Sequence, residues 1–250
     1  MPIPVAPSVP PMPQLDPPIR AVCFDLDGTL VETERLKALS YAHAVAALRP
    51  GPHVAEDVVA AYAELAGRSR EVIAAALIER FALDVPPPVF LASRLRAYDE
   101  MVADHALIRA QAYAPTIALL RDVRARGYAT GMATMSRSEH ARGILEILGL
   151  GDAFDAQVAR DEVTAPKPDP EIYLALAERL GVAPAVCLAI EDSLPGVQSA
   201  LAAGMTCVAA TTDLTRAVVR AANVLPASLI VDSPDDLAGV VNGILEARAQ

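Results

Sequence analysis

Asp25-Leu26-Asp27-Gly28-Thr29 sets two carboxylates two residues apart at the end of a short apolar run, Ala21-Val22-Cys23-Phe24, and just before a Gly-Thr turn. A short apolar run bounded by breakers predicts a buried strand, because a parallel strand covered on both faces need not alternate. In an open α/β sheet, ligands bind in the crevice beyond the carboxyl end of such a strand. Two acids held there repel unless a cation or a shared proton intervenes. The stretch therefore binds a metal, divides nucleophile and acid duties between its carboxylates, or is an ordinary polar turn of the Asp-x-Asp-Gly kind.

The elements that must position these acids follow from the rhythm of the chain. Residues Met1 to Pro18 are proline-rich with little to bury, and are expected to form an extended or disordered tail. A first strand is expected over about Ile19 to Leu26. From Glu34 to about Leu107 the pattern is helical, in alanine-rich segments at Glu34 to Leu48, Glu56 to Ala66, Ser69 to Phe81 and Val89 to Asp104, with no strand signal between them. Such a block, inserted after the first strand, predicts a small helical domain over residues 34–109, joined to a core of residues 19–33 and 110–250.

After Pro115 strands and helices alternate. Strands are expected at Tyr128 to Thr134, Phe154 to Ala159, Val186 to Ile190, Thr206 to Ala210 and Leu229 to Val231, with amphipathic helices between them. This predicts an α/β fold with a doubly wound parallel sheet and right-handed crossovers.

If that sheet forms, polar residues at its strand ends converge. Thr134, Met135 and Ser136 follow one strand, Lys167-Pro168-Asp169-Pro170 lies in the loop after the next, and Glu191-Asp192-Ser193 follows a third. Each alone has a plainer reading: a helix cap, a solvated charge, an acidic first turn. Lys37 and Lys167 are the only lysines among 21 basic residues, which singles them out in an arginine-dominated chain.

Taken together, Asp25-Leu26-Asp27-Gly28-Thr29-Leu30, Thr134, Lys167-Pro168-Asp169-Pro170 and Ile190-Glu191-Asp192-Ser193 with Gly196 resemble the haloacid dehalogenase superfamily. The resemblance is to its capped phosphatase and β-phosphoglucomutase-like branch, and it covers about Ile19 to the C-terminal helix. It implies that Asp25 is a nucleophile forming an aspartyl phosphate, that Asp27 is its acid/base partner, and that Thr134 and the amide of Met135 bind the phosphoryl group. It implies that Lys167 neutralises charge there. It also implies a Mg²⁺ ion on Asp25, the backbone carbonyl of Asp27 and Asp192, with Glu191 supporting that shell. An acid at Asp27 separates phosphoryl transfer from the metal-independent dehalogenases and from phosphonoacetaldehyde hydrolases, which lack it. Glu32-Thr33-Glu34, Pro115-Thr116, Met135 and Pro166 depart from the usual pattern without removing a reacting group.

The resemblance makes residues 34–109 a cap over the site, with Lys37, Arg68 and Arg70 as candidate substrate contacts. It implies hydrolysis of a small phosphate monoester, such as a sugar phosphate or phosphoglycolate. The alternatives are a β-phosphoglucomutase-like isomerisation, which usually goes with His where Lys37 stands, and a non-catalytic sugar-phosphate-binding protein. A formal net charge of −10 excludes a broad nucleic-acid or anionic-membrane surface. Three cysteines without metal-site or disulfide spacing are expected to be buried thiols in a reducing compartment. No apolar run reaches spanning length and no charged-then-apolar leader opens the chain, so the expectation is a cytoplasmic protein.

Overall fold

A computed structural model of the chain describes residues 17–65 and 69–249. Most of the expected tail of residues 1–18, and Arg68, lie outside these. The first strand, β1 (Ala21–Phe24), is followed by five helices: α1 (Thr33–Leu48), α2 (Val54–Leu65), α3 (Arg70–Arg80), α4 (Pro87–Ala103) and α5 (His105–Ala110). The alternating part then runs α6 (Ala114–Ala125), β2 (Ala129–Ala133), α7 (Ser138–Ile147), β3 (Ala156–Val158), α8 (Glu171–Leu180), β4 (Cys187–Glu191), α9 (Leu194–Ala202), β5 (Thr206–Ala210), α10 (Arg216–Ala222), β6 (Ile230–Val231) and α11 (Pro234–Ala247).

The strands form one parallel sheet in the order β3-β2-β1-β4-β5-β6. The fold is thus a doubly wound parallel-sheet core with an inserted helical cap, as expected. From β1 the chain winds outward through β2 to β3, then crosses back to β4 on the other flank. The winding reverses between β1 and β4, which puts the ligand crevice beyond their carboxyl ends.

The two faces of the sheet are built from different residue sizes. Val22, Phe24, Met132, Leu188 and Ile190 pack against α6, α7 and α11 through Leu120, Ile144 and Val241. The opposite face carries Ala21, Cys23, Ala133, Ala189 and Cys207 against Tyr173 and Leu176 of α8 and Val197 of α9. Small side chains there let α8 approach closely: a Cβ added at Gly131 would meet the Leu176 methyls at 3.0 Å. All three cysteines are buried free thiols on this face. Among the described residues, no helix is long and apolar enough to cross a membrane.

The helical insert has its own apolar cluster, in which Tyr41, Val45, Val58, Tyr62, Leu77 and Phe90 meet. It is not sealed off from the core, because Leu36, Tyr98 and Ile108 of the insert belong to the core's cluster instead. Asp104 separates α4 from α5. Its carboxylate accepts from the amides of Ala106 and Leu107 at 3.0 Å each, a capping interaction that starts a new short helix. β1 is shorter than the expected strand of about Ile19 to Leu26. Leu26 leaves the sheet to open a turn, accepting from the amide of Leu30 at 2.9 Å, and Gly28 takes a φ of +90° that only glycine adopts freely.

Candidate active site

Asp25 extends the ladder of β1 by one residue, its amide donating to the carbonyl of Ile190 at 3.0 Å. That register sets its carboxylate, only 5% exposed, beside the end of β4. Lys167 reaches it from the loop before α8 and donates to Asp25 Oδ1 at 2.8 Å, Glu191 Oε1 at 2.5 Å and the carbonyl of Ala133 at 3.0 Å. An ammonium has three donors, so Lys167 is saturated. Glu191 is fully buried and also accepts from the Tyr173 hydroxyl at 2.6 Å.

Two glycines make room for the acids. A Cβ on Gly196, in the first turn of α9, would stand 1.9 Å from Glu191 Oε2, and one on Gly28 would stand 2.3 Å from Asp192 Oδ2. Asp25, Glu191 and Asp192 each bring one oxygen within 4.8 Å of the others. Three carboxylates around a single ammonium leave an excess of negative charge in a buried place. Burial pushes the Asp25 carboxyl up to about 8 against the pull of Lys167, with Glu191 and Asp27 adding to the rise. Burial, then the charges of Asp25 and Glu191, also push Asp192 well up. An oxygen-rich, dry and under-compensated cluster is the donor set a hard divalent cation takes, so the residues fit such an ion.

Asp27 sits two residues on and faces the other way. Its Oδ1 takes a short hydrogen bond from the Thr33 hydroxyl and lies 3.4 Å from the Lys37 ammonium. Its Oδ2 accepts from Ser136 at 2.7 Å and Thr134 at 3.2 Å. Burial opposes its ionisation, but Lys37 and the hydroxyls of Ser136 and Thr33 outweigh burial and hold the carboxyl at about 2. Lys37 is also paired to Glu34 at 2.6 Å, and Glu34 accepts from the Tyr62 hydroxyl at 2.8 Å.

The structure thus gathers Asp25, Asp27, Thr134, Lys167, Glu191, Asp192 and Lys37. The Thr134 hydroxyl points at Asp27 and also accepts from the amide of Ser136 at 3.0 Å. Met135 lies between them with its side chain against the apolar face under α8 and α9. Arg70 is not gathered: it is 73% exposed and paired to its neighbour Glu71. Thr33 and Tyr173 were not expected in the site, and Ser136 was expected there only as one of the polar residues following a strand. The one signal available was the two-residue spacing of Thr134 and Ser136 at a strand exit.

Comparison with known proteins gives a consistent picture. The model of the family described as haloacid dehalogenase-like hydrolase matches residues 19–204. The fructose-1-phosphate phosphatase YqaB of Escherichia coli is 31% identical over 74% of this chain and 93% of its own. The phosphoglycolate phosphatase of Thiobacillus denitrificans is 32% identical over 75% of this chain and 81% of its own. Among solved structures, a HAD family hydrolase from Deinococcus radiodurans with bound phosphate and sodium superposes with a TM-score of 0.69 at 26% identity, covering 90% of this chain and 98% of that one.

Proposed function

Because the chain belongs to the haloacid dehalogenase-like hydrolases, we propose that it is a Mg²⁺-dependent phosphatase that hydrolyses a small phosphate monoester through an aspartyl phosphate on Asp25. The observation that carries this reading is the contrast between two acids two residues apart: Asp25 among carboxylates and one ammonium, Asp27 among hydroxyls and another. Relatives named as sugar-phosphate and phosphoglycolate phosphatases support the substrate class.

In this reading Asp25 attacks phosphorus, the ester P–O bond breaks, and the departing alcohol oxygen takes a proton from Asp27. Water then attacks the phosphorus of the aspartyl phosphate and gives its proton to Asp27. Inorganic phosphate leaves and the Asp25 carboxylate is restored. Splitting the displacement into two steps lets one carboxylate serve as acid and then as base. Lys167 orients Asp25 and offsets charge on the transferring group. Thr134 and the amide of Met135 turn to the phosphoryl oxygens. Asp25, Asp192 and the Asp27 carbonyl would hold Mg²⁺, supported by Glu191, and the ion would neutralise phosphoryl charge. The helical cap would close over the ester and exclude bulk water.

Phosphate release should be measured across a panel of phosphorylated metabolites, with Mg²⁺ or with a chelator, and with Asp25→Asn as control. Release from at least one monoester, dependent on both Mg²⁺ and Asp25, is expected. A folded protein that releases phosphate from none would sink the reading, and conversion of β-glucose 1-phosphate to glucose 6-phosphate would replace it with the mutase.

A further inference from the structure

Among the described residues, three buried polar atoms where cap meets core have no partner: the Tyr98 hydroxyl, Arg94 Nε and His140 Nε2. They belong together. Arg94 and Tyr98 are four residues apart, on one face of α4. The Arg94 guanidinium lies between two rings, 5.0 Å from the centre of Tyr41 and 4.7 Å from that of Tyr98. On its other side Tyr98 meets the His140 ring of α7, with centroids 5.1 Å apart. The group therefore bridges the cap and the core.

Charge accounting separates Arg94 from its neighbour Lys37. Lys37 is answered by Asp27 at 3.4 Å and Glu34 at 2.6 Å. Arg94 touches ring faces and, among the described residues, forms no ion pair. Stacking accounts for its position but leaves its buried Nε without an acceptor, and a buried donor without an acceptor is costly. Tyr98 is 4% exposed and still keeps a free hydroxyl. Burial, then the nearby Asp27 charge, keep that hydroxyl protonated and able to donate. Burial keeps the His140 ring neutral. The Asp27 charge is felt at both Tyr98 and His140, and in the phosphatase reading the departing alcohol lies beside Asp27.

We propose that Arg94, Tyr98 and His140 form the subsite for the alcohol portion of the substrate, and that this portion carries a second anionic group, a carboxylate or a phosphate. The assignment rests on the phosphatase reading for its chemistry, while the recognition itself is testable without turnover.

The test compares matched esters on the full chain with Mg²⁺: phosphoglycolate against ethyl phosphate, and a hexose bisphosphate against the hexose monophosphate. The wild type should prefer the doubly anionic member of at least one pair in kcat/KM. Arg94→Gln should cut that preference by about 30-fold or more, as expected for a lost charged hydrogen bond, and Tyr98→Phe by about 5-fold. Tyr98→Phe keeps the ring stack, so it decides the matter if Arg94→Gln does not fold. A wild type without the preference, or variants that lose both members of each pair alike, would overturn the subsite. If no ester turns over, the phosphatase reading fails on its own, and calorimetric binding of phosphonoacetate against methylphosphonate takes over. A wild-type preference for phosphonoacetate that Arg94→Gln removes supports the subsite, and equal binding of the two overturns it.

Discussion

Asp25 and Asp27 are separated by one residue, yet the protein treats them oppositely. Asp25 stands among Glu191 and Asp192, with Lys167 the ammonium paired to it, and its carboxyl is pushed up to about 8. Asp27 stands among three hydroxyls and Lys37, and is held at about 2. The difference arises from where the turn points each side chain, one toward the β4 end of the sheet and one toward the cap. Two identical side chains thereby acquire separate chemistry, one surrounded by charge a cation would balance and one already supplied with donors.

The hardest test of this contrast is to neutralise each acid in turn. Asp25→Asn removes the proposed nucleophile and should lower kcat by at least about 10⁴-fold. Asp27→Asn keeps that nucleophile and removes the proposed proton transfer, for an expected loss of about 10²-fold to 10⁴-fold. Steady-state phosphate release measures both. Equal losses, or a smaller loss at Asp25, would break the division of roles.

The metal side is tested through the glycines that make room for it. Gly196→Ala forces Glu191 aside and should raise the Mg²⁺ concentration for half-maximal activity by about 10-fold to 100-fold. An unchanged Mg²⁺ dependence would deny Glu191 any part in that shell. The Asp25 shift makes a related prediction. Between the usual value of 3.8 and about 8, the unfolded chain has released a proton that the folded chain keeps, so this group lowers stability as pH rises through that window. A divalent cation favours the ionised form. The gain in Tm on adding Mg²⁺ should therefore be larger at pH 8 than at pH 5, and equal gains would argue against a cation site at Asp25.

The Asp25 side was far more legible in the sequence than the Asp27 side. Asp25, Thr134 and Glu191-Asp192 all follow short apolar runs, and a parallel sheet aligns the ends of such runs, so their convergence follows from topology alone. Of the donors to Asp27, Thr134 alone shares that strand-end signal; Thr33, Ser136 and Lys37 come from a hinge, a loop and a cap helix. Thr33 and Ser136 look like helix caps in sequence, because a hydroxyl near a helix start serves either purpose. Lys37 and Arg70 were both expected as candidate substrate contacts. Only packing turns the first to Asp27, at 23% exposure, and leaves the second at 73% beside Glu71. Arg94, Tyr98 and His140 were hidden for the same reason, since amphipathic periodicity says which face is buried but not what it meets. The expected strand of about Ile19 to Leu26 runs past the observed one, because the turn that closes on Leu26 ends β1 at Phe24.

The smallest expected effect concerns what holds Asp27 ionised. A carboxyl whose folded value lies below its unfolded one adds stability above the unfolded value and loses it as pH falls through the folded one. For Asp27 the window runs from 3.8 down to about 2. The stabilisation lost across it is about 2 kcal/mol. Lys37→Met removes the first charge opposing burial, so the Asp27 carboxyl should rise and the acid-side loss should shrink. Tm measured from pH 6 to pH 3 should fall less steeply in Lys37→Met than in the wild type, and parallel slopes would show that the hydroxyls alone hold Asp27 down. The same variant bears on the proposed reaction, because an Asp27 held ionised at about 2 has no proton to give and is a weak base. In the proposed reaction the departing alcohol takes a proton from Asp27, so Lys37 would have to be drawn from Asp27 before that step. Without Lys37, the pH at which phosphoryl transfer from substrate to Asp25 is fastest should move upward in single-turnover measurements. An unmoved optimum would mean that the ion pair does not set the proton on Asp27.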